Sequence, residues 1–128
     1  MPQPSFLTAS LYVAIGGGFG AWMRFLVARA WTSVIGPVRA SEFPWSTLTV
    51  NVLGSLLMGL LAGWLARFGS NGEGARLLLG VGVLGGFTTF SAFSLEIAAM
   101  MQRGQLAIVA LYTGVSVLAG VSSLLLGL

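Results

Sequence analysis

Apolar residues fall in four long runs, separated by short links that carry Pro, Gly or charge. The runs extend from about Leu7 to Trp31, Thr47 to Ala66, Leu77 to Met101 and Leu106 to Leu128. Each is about 20 residues or longer, enough to cross roughly 30 Å of hydrocarbon as a helix. The links Thr32–Ser46 (with Pro37 and Pro44), Arg67–Arg76 and Gln102–Gln105 leave no room for a soluble domain. The pattern predicts a single all-α membrane domain over residues 1–128, with four transmembrane helices and both termini on one side. No positively charged segment precedes the first run, which is therefore expected to be a retained span and not a cleavable signal.

The polar positions inside these runs refine the picture, because polar atoms in hydrocarbon mark either packing or a pathway. In the first run Gly16 and Gly20 form a small-xxx-small pair suited to close helix contact. Arg24 lies one turn further along that face, and an Arg at mid-helix costs about 2.5–3.5 kcal/mol to insert. It needs a partner, a water-filled vestibule or an anion. In the second run Thr47, Asn51 and Ser55 recur every fourth residue and share a face. That stripe suits interhelical hydrogen bonds as well as it suits an ion path.

The third run is the least helix-like, with Gly80, Gly82, Gly85 and Gly86 followed by Thr88, Thr89 and Ser91. A helix broken near mid-membrane frees backbone carbonyls and amides that protein or ions must satisfy. Freed carbonyls beside Thr suit a small hard cation. Phe90 and Phe93 share a face, with Ser91 and Ser94 on the adjacent one. Such a Phe pair serves core packing, or it turns the positive ring edge toward an anion. In the fourth run Tyr112, Ser116 and Gly120 repeat the four-residue spacing, so three of the runs carry uncharged polar stripes of the kind that line ion or water paths.

Composition narrows the function further. Hydrophobic residues make up 56% of 128 positions and charged residues 7%, against roughly 25% in ordinary soluble domains. The mean hydropathy is +0.95. The charges are six Arg and three Glu; Cys, His, Asp and Lys are absent. That removes the thiolate nucleophile, the commonest general base and the commonest metal ligand, so no enzyme is expected. The Arg residues are scattered singly, which argues against a nucleic-acid partner despite the net charge of +3. They also fail to set an orientation. Arg67 and Arg76 fall on the side of the termini, and Arg29, Arg39 and Arg103 on the other. Lys/Arg asymmetry sets topology, so two against three predicts insertion both ways up.

The stretch Gly85-Gly86-Phe87-Thr88-Thr89-Phe90-Ser91-Ala92-Phe93-Ser94-Leu95-Glu96 resembles the signature of the Fluc (CrcB-type) fluoride channels. Gly20-Ala21-Trp22-Met23-Arg24-Phe25 and Thr47-Leu48-Thr49-Val50-Asn51-Val52-Leu53-Gly54 resemble its two companion motifs, in the family's order. The four-span plan covers the whole chain. The resemblance implies a passive, multi-pass fluoride exporter of the bacterial plasma (inner) membrane, built as an antiparallel, dual-topology homodimer with two pores. It places Phe90, Phe93 and Asn51 on the fluoride pathway, along with Tyr112 and Ser116; Thr47, from the second run's stripe, and Ser91, beside the Phe pair, are expected on it as well. It also implies a structural, non-transported sodium ion (Na+) held by the backbone carbonyls of Gly85 and Thr88, with no organic cofactor. Arg24 remains a vestibule or structural residue, and Gly120 stands where a further hydroxyl is expected.

The nearest rival is a small four-helix, dual-topology multidrug/proton antiporter. It needs a titratable carboxylate deep in a span, whereas Glu42, Glu73 and Glu96 read as lying in links or near a span's end. A proton-ring subunit fails for the same lack. A non-transporting scaffold accounts for the glycines but not for three polar stripes.

Overall fold

A computed structural model describes residues 3–69 and 72–128, so the link Arg67–Arg76 lies partly outside the described residues. Helix α1 (Phe6–Ile35) opens on Ser5, whose hydroxyl accepts from the Thr8 amide. At Gly36 the backbone takes φ 87°, a conformation open to glycine, and Pro37 starts the short α2 (Pro37–Glu42). The expected link Thr32–Ser46 is thus largely helical. Helix α3 (Trp45–Phe68) is the second span.

The third span, Glu73–Gln102, is composite. It comprises one turn of α4 (Glu73–Ala75), a π-helical segment (Arg76–Leu84), α5 (Gly85–Phe87) and α6 (Phe90–Gln102). The glycines stay helical, but in the wider i→i+5 winding seen in the Gly85 amide's bond to the Gly80 carbonyl. The backbone leaves the helix at Thr88 (φ −84°, ψ 157°) and Thr89 (φ −150°, ψ 122°), at the midpoint of the span, and re-enters it at Phe90. Helix α7 (Leu106–Gly127) is the fourth span, after a turn in which Gly104 takes φ 74°.

Four helices are therefore long and apolar enough to cross a membrane. Helix α3 packs along α7, and α1 packs along the π-helical segment and α5. Close approach requires glycine at both seams. A Cβ on Gly20 would overlap the Val83 carbonyl, and one on Gly86 would overlap the Gly17 carbonyl. A Cβ on Gly59 would strike the Leu124 carbonyl in α7. The packing role expected of Gly16 and Gly20 is what the structure places there. Little else is buried among the described residues, whose apolar core consists of Val50, Leu84, Phe87, Met100 and Tyr112.

Candidate functional site

The polar stripe of α3 faces the interruption between α5 and α6. The Asn51 side chain clasps Thr89 from both sides: its Nδ2 donates to the Thr89 carbonyl at 3.0 Å, and its Oδ1 accepts from the Thr89 amide at 2.7 Å. One amide side chain thus satisfies both backbone groups of a residue that has left the helix. The Thr89 hydroxyl then caps α6 by accepting from the Ala92 amide at 3.2 Å. Thr88 closes α5 from the other side, its hydroxyl donating to the Leu84 carbonyl at 2.9 Å.

One turn along the stripe, the Thr47 hydroxyl donates to Glu96 Oε2 at 3.0 Å, and the Tyr112 hydroxyl donates to Glu96 Oε1 at 3.3 Å. Glu96 sits within α6, facing α3 and α7. Glu96 lies near the end of its span, as expected, and what the structure adds is that its carboxylate is bonded to two other spans. Sequence reasoning missed it because its partners lie 49 and 16 residues away. The Thr47–Asn51–Ser55 spacing pointed to the face but not to what it meets. The antiporter reading needs a carboxylate deep in a span, and Glu96 is the half-buried carboxylate that comes nearest to that role.

The stripe of α7 meets that of α3. Tyr112 is fully buried, and Gly120 brings its backbone close to Ser55, whose Oγ would lie 3.6 Å from an added Cβ. Between them the Ser116 hydroxyl is buried with no hydrogen-bond partner among the described residues. Phe93 stacks at a tilt on Tyr112 (centroids 5.0 Å), and Tyr112 meets the ring edge-on from Phe43 (5.4 Å). Phe90 lies 5.8 Å from Phe93 yet remains 78% exposed, so within one chain it is not core. Ser91 is exposed, and its hydroxyl is 3.4 Å from that of Thr89.

Two clefts flank the clasp. One, of about 290 Å³, is lined by Asn51, Gly54, Ser55, Thr88, Thr89 and Phe90 among others. The other, of about 280 Å³, is lined by Arg24, Ser46, Thr47, Val50, Thr89 and Ala92 among others. Thr89 belongs to both. Arg24 is half-buried and makes none of the hydrogen bonds or ion pairs among the described residues, where the ion pair is Glu73–Arg76. Gly85 is exposed and borders neither cleft. The structure therefore gathers Arg24, Thr47, Asn51, Thr88, Tyr112 and Ser116 around the interruption, together with Glu96. Phe90, Ser91 and Gly85 it leaves on the surface of the chain.

Four apolar helices, three of them with polar side chains turned toward one another, make this a small multi-pass membrane protein. The profile of the family described as CrcB-like protein, Camphor Resistance (CrcB) matches residues 11–128. The chain is 61% identical over 122 residues to the "Fluoride-specific ion channel FluC" of Novosphingobium aromaticivorans, covering 95% of this chain and 94% of that one. It is 51% identical over 123 residues to the protein of the same name from Erythrobacter litoralis, covering 95% and 90%. A third FluC, from Caulobacter vibrioides, is 48% identical over 119 residues, covering 92% and 91%. The chain belongs to the CrcB family.

Proposed function

We propose that this chain is a fluoride channel, passive and selective, which lets fluoride leave the cytoplasm across the bacterial plasma membrane. The relatives' printed name supports the ion. The observation that carries a pathway is the Ser116 hydroxyl, buried and unpartnered on the stripe that also bears Tyr112. Leaving such a group unmatched costs about 1–3 kcal/mol, so it calls for an occupant. A small anion that accepts hydrogen bonds supplies one. Arg24 in its cleft raises the local anion concentration. Asn51, Ser91 and Ser116 offer donors, and Phe90 and Phe93 offer ring edges. Thr47 and Tyr112 join the path when their hydroxyls turn from Glu96 to the ion.

The exposed Phe90 and the two open clefts support an assembly of two chains, antiparallel and with one pore per chain, whose interruptions lie near mid-membrane. The residues also fit a structural sodium ion. In a continuous helix the Gly85 and Thr88 carbonyls would accept from the amides of Thr89 and Ala92. Those amides donate instead to Asn51 Oδ1 and the Thr89 hydroxyl. Two carbonyls are thereby left for a hard cation, which takes roughly six oxygen ligands, so a second chain's pair brings the set to four and further oxygens complete it. When bound, the ion supplies a fixed positive charge between the chains.

Proteoliposomes loaded with fluoride test the reading. With a potassium shunt and no pH gradient, a fluoride electrode is expected to record rapid, complete efflux. Efflux that requires an opposing proton gradient would instead favour the antiporter and give Glu96 its proton-carrying role.

A further inference from the structure

The end of the molecule formed by α2 carries a second amphipathic site, separate from the two clefts at the interruption although its Phe43 packs on Tyr112. A cavity of about 390 Å³ is lined by Trp31, Ile35, Arg39, Glu42, Phe43 and Trp45. Arg39 and Glu42 face it from one short helix without pairing to each other. Aromatic rings wall it: Trp31 and Trp45 stack at 5.7 Å, and Phe43 lies 4.6 Å from Trp45. Trp31 is pinned by its indole N–H donating to the Thr49 hydroxyl at 3.0 Å. The same two tryptophans open a groove of about 570 Å³ between α3 and α7, walled by Leu48, Val52, Leu56 and Ala119 and almost free of polar atoms. From Trp45 to Leu56 this groove follows eleven helical steps, about 16 Å at 1.5 Å each, which is close to half of a ~30 Å hydrocarbon core.

We propose that this paired cavity and groove bind one zwitterionic phospholipid with a primary-ammonium headgroup, phosphatidylethanolamine. The groove has the depth of one leaflet and takes an acyl chain. Arg39 matches the phosphate, for which its planar fork is suited. Glu42 accepts from the ammonium, and the faces of Trp31, Phe43 and Trp45 attract that cation. A single-signed headgroup would leave one of the two charges unmatched, and a quaternary ammonium has no N–H to donate to Glu42. Tryptophans at this level are what membrane interfaces favour.

The site requires that the chain span a bilayer but not that it conduct fluoride, and its readout is independent of flux. The full-length protein, purified in detergent, is incubated with equimolar dioleoyl phosphatidylethanolamine, phosphatidylcholine and phosphatidylglycerol. Retained lipid is then resolved by native mass spectrometry. Phosphatidylethanolamine adducts are expected to exceed each of the others by roughly tenfold, the share of one charge-assisted hydrogen bond. Glu42→Gln should equalise phosphatidylethanolamine and phosphatidylglycerol, Glu42→Arg should invert the order, and Arg39→Gln should deplete all three. Equal retention by the unaltered protein, or an unchanged preference in Glu42→Gln, would overturn the proposal. Both residues are exposed on α2, so the variants are expected to fold.

Discussion

Asn51 holds Thr89 and is proposed to face the ion, and substitutions bear on both roles. Its amide holds Thr89, which is 8% exposed, by both backbone groups. Asn51→Ala strands two polar groups that solvent barely reaches, at about 1–3 kcal/mol each. The thermal midpoint in detergent should fall clearly, and fluoride flux with it. Asn51→Asp keeps an acceptor for the Thr89 amide but sets a carboxylate oxygen against the Thr89 carbonyl. Stability should fall as well, and flux should drop sharply because a second carboxylate, added to that of Glu96, deepens the repulsion of the anion. Phe90 and Phe93 divide differently. Phe93 is braced by Tyr112, whereas Phe90 has little to pack on within its own chain. If both rings serve only as bulk, exchange for Ile costs under about 1.5 kcal/mol and flux survives. If ring edges face the ion, flux should drop at least about tenfold, which corresponds to 1.4 kcal/mol of barrier, while the assembly stays intact by size exclusion. A Phe90→Ile protein with full electrode-measured flux would return that ring to packing.

Among the elements, the third span sets what the sequence could and could not disclose. Its length and apolarity were legible, as were the other three spans, because a twenty-residue apolar run has few alternatives. The π-helical winding of Arg76–Leu84 was not. It shifts each bond by one residue, and an almost wholly apolar run has no periodic marker that registers so small a change. The glycines and hydroxyls from Gly80 to Ser91 marked the least helix-like stretch; within it the glycines stay helical, and the backbone departs from the helix at Thr88 and Thr89, where side chains can take over the lost bonds. Gly82 and Gly86 are there for contact with α1, and this too can be tested along one helix. Gly20→Ala drives a Cβ into the Val83 carbonyl and near the Phe87 amide, backbone atoms that cannot swing aside. It should cost on the order of 1–3 kcal/mol. Gly18→Ala meets nothing within 4 Å and should be neutral or gain up to about 1 kcal/mol of helix propensity. Equal thermal midpoints for the two variants would show that the α1 seam is not as tight as it stands here.

As a whole, the chain exposes far more than a self-sufficient molecule of its size. Its accessible surface is 7900 Å², whereas a compact monomer of 13.3 kDa has about 6400 Å². Much of that surface is large apolar side chains on every span, from Phe6 on α1 to Leu126 on α7. Lipid accounts for some of it, but not for open polar clefts beside Asn51, which hydrocarbon cannot satisfy. A second copy can. The contacts of Tyr12 with Gly74 and of Arg67 with the Leu128 carbonyl put both termini and the link after α3 at one end. The links bearing Arg39 and Arg103 therefore lie at the other end, so the two-against-three count of arginines compares true opposite ends. With so small a bias, both orientations should be made, and an antiparallel pair needs both. Two further arginines placed in the link Arg67–Arg76 should commit every copy to one orientation. Fluoride efflux from cells expressing that variant alone should then be lost, although the protein is still made and inserted. Co-expression with a copy carrying two extra arginines in the links Thr32–Ser46 and Gln102–Gln105 should restore it, since each biased chain supplies the orientation the other lacks. Normal efflux from the first variant by itself would mean that the chains pair in parallel or conduct alone.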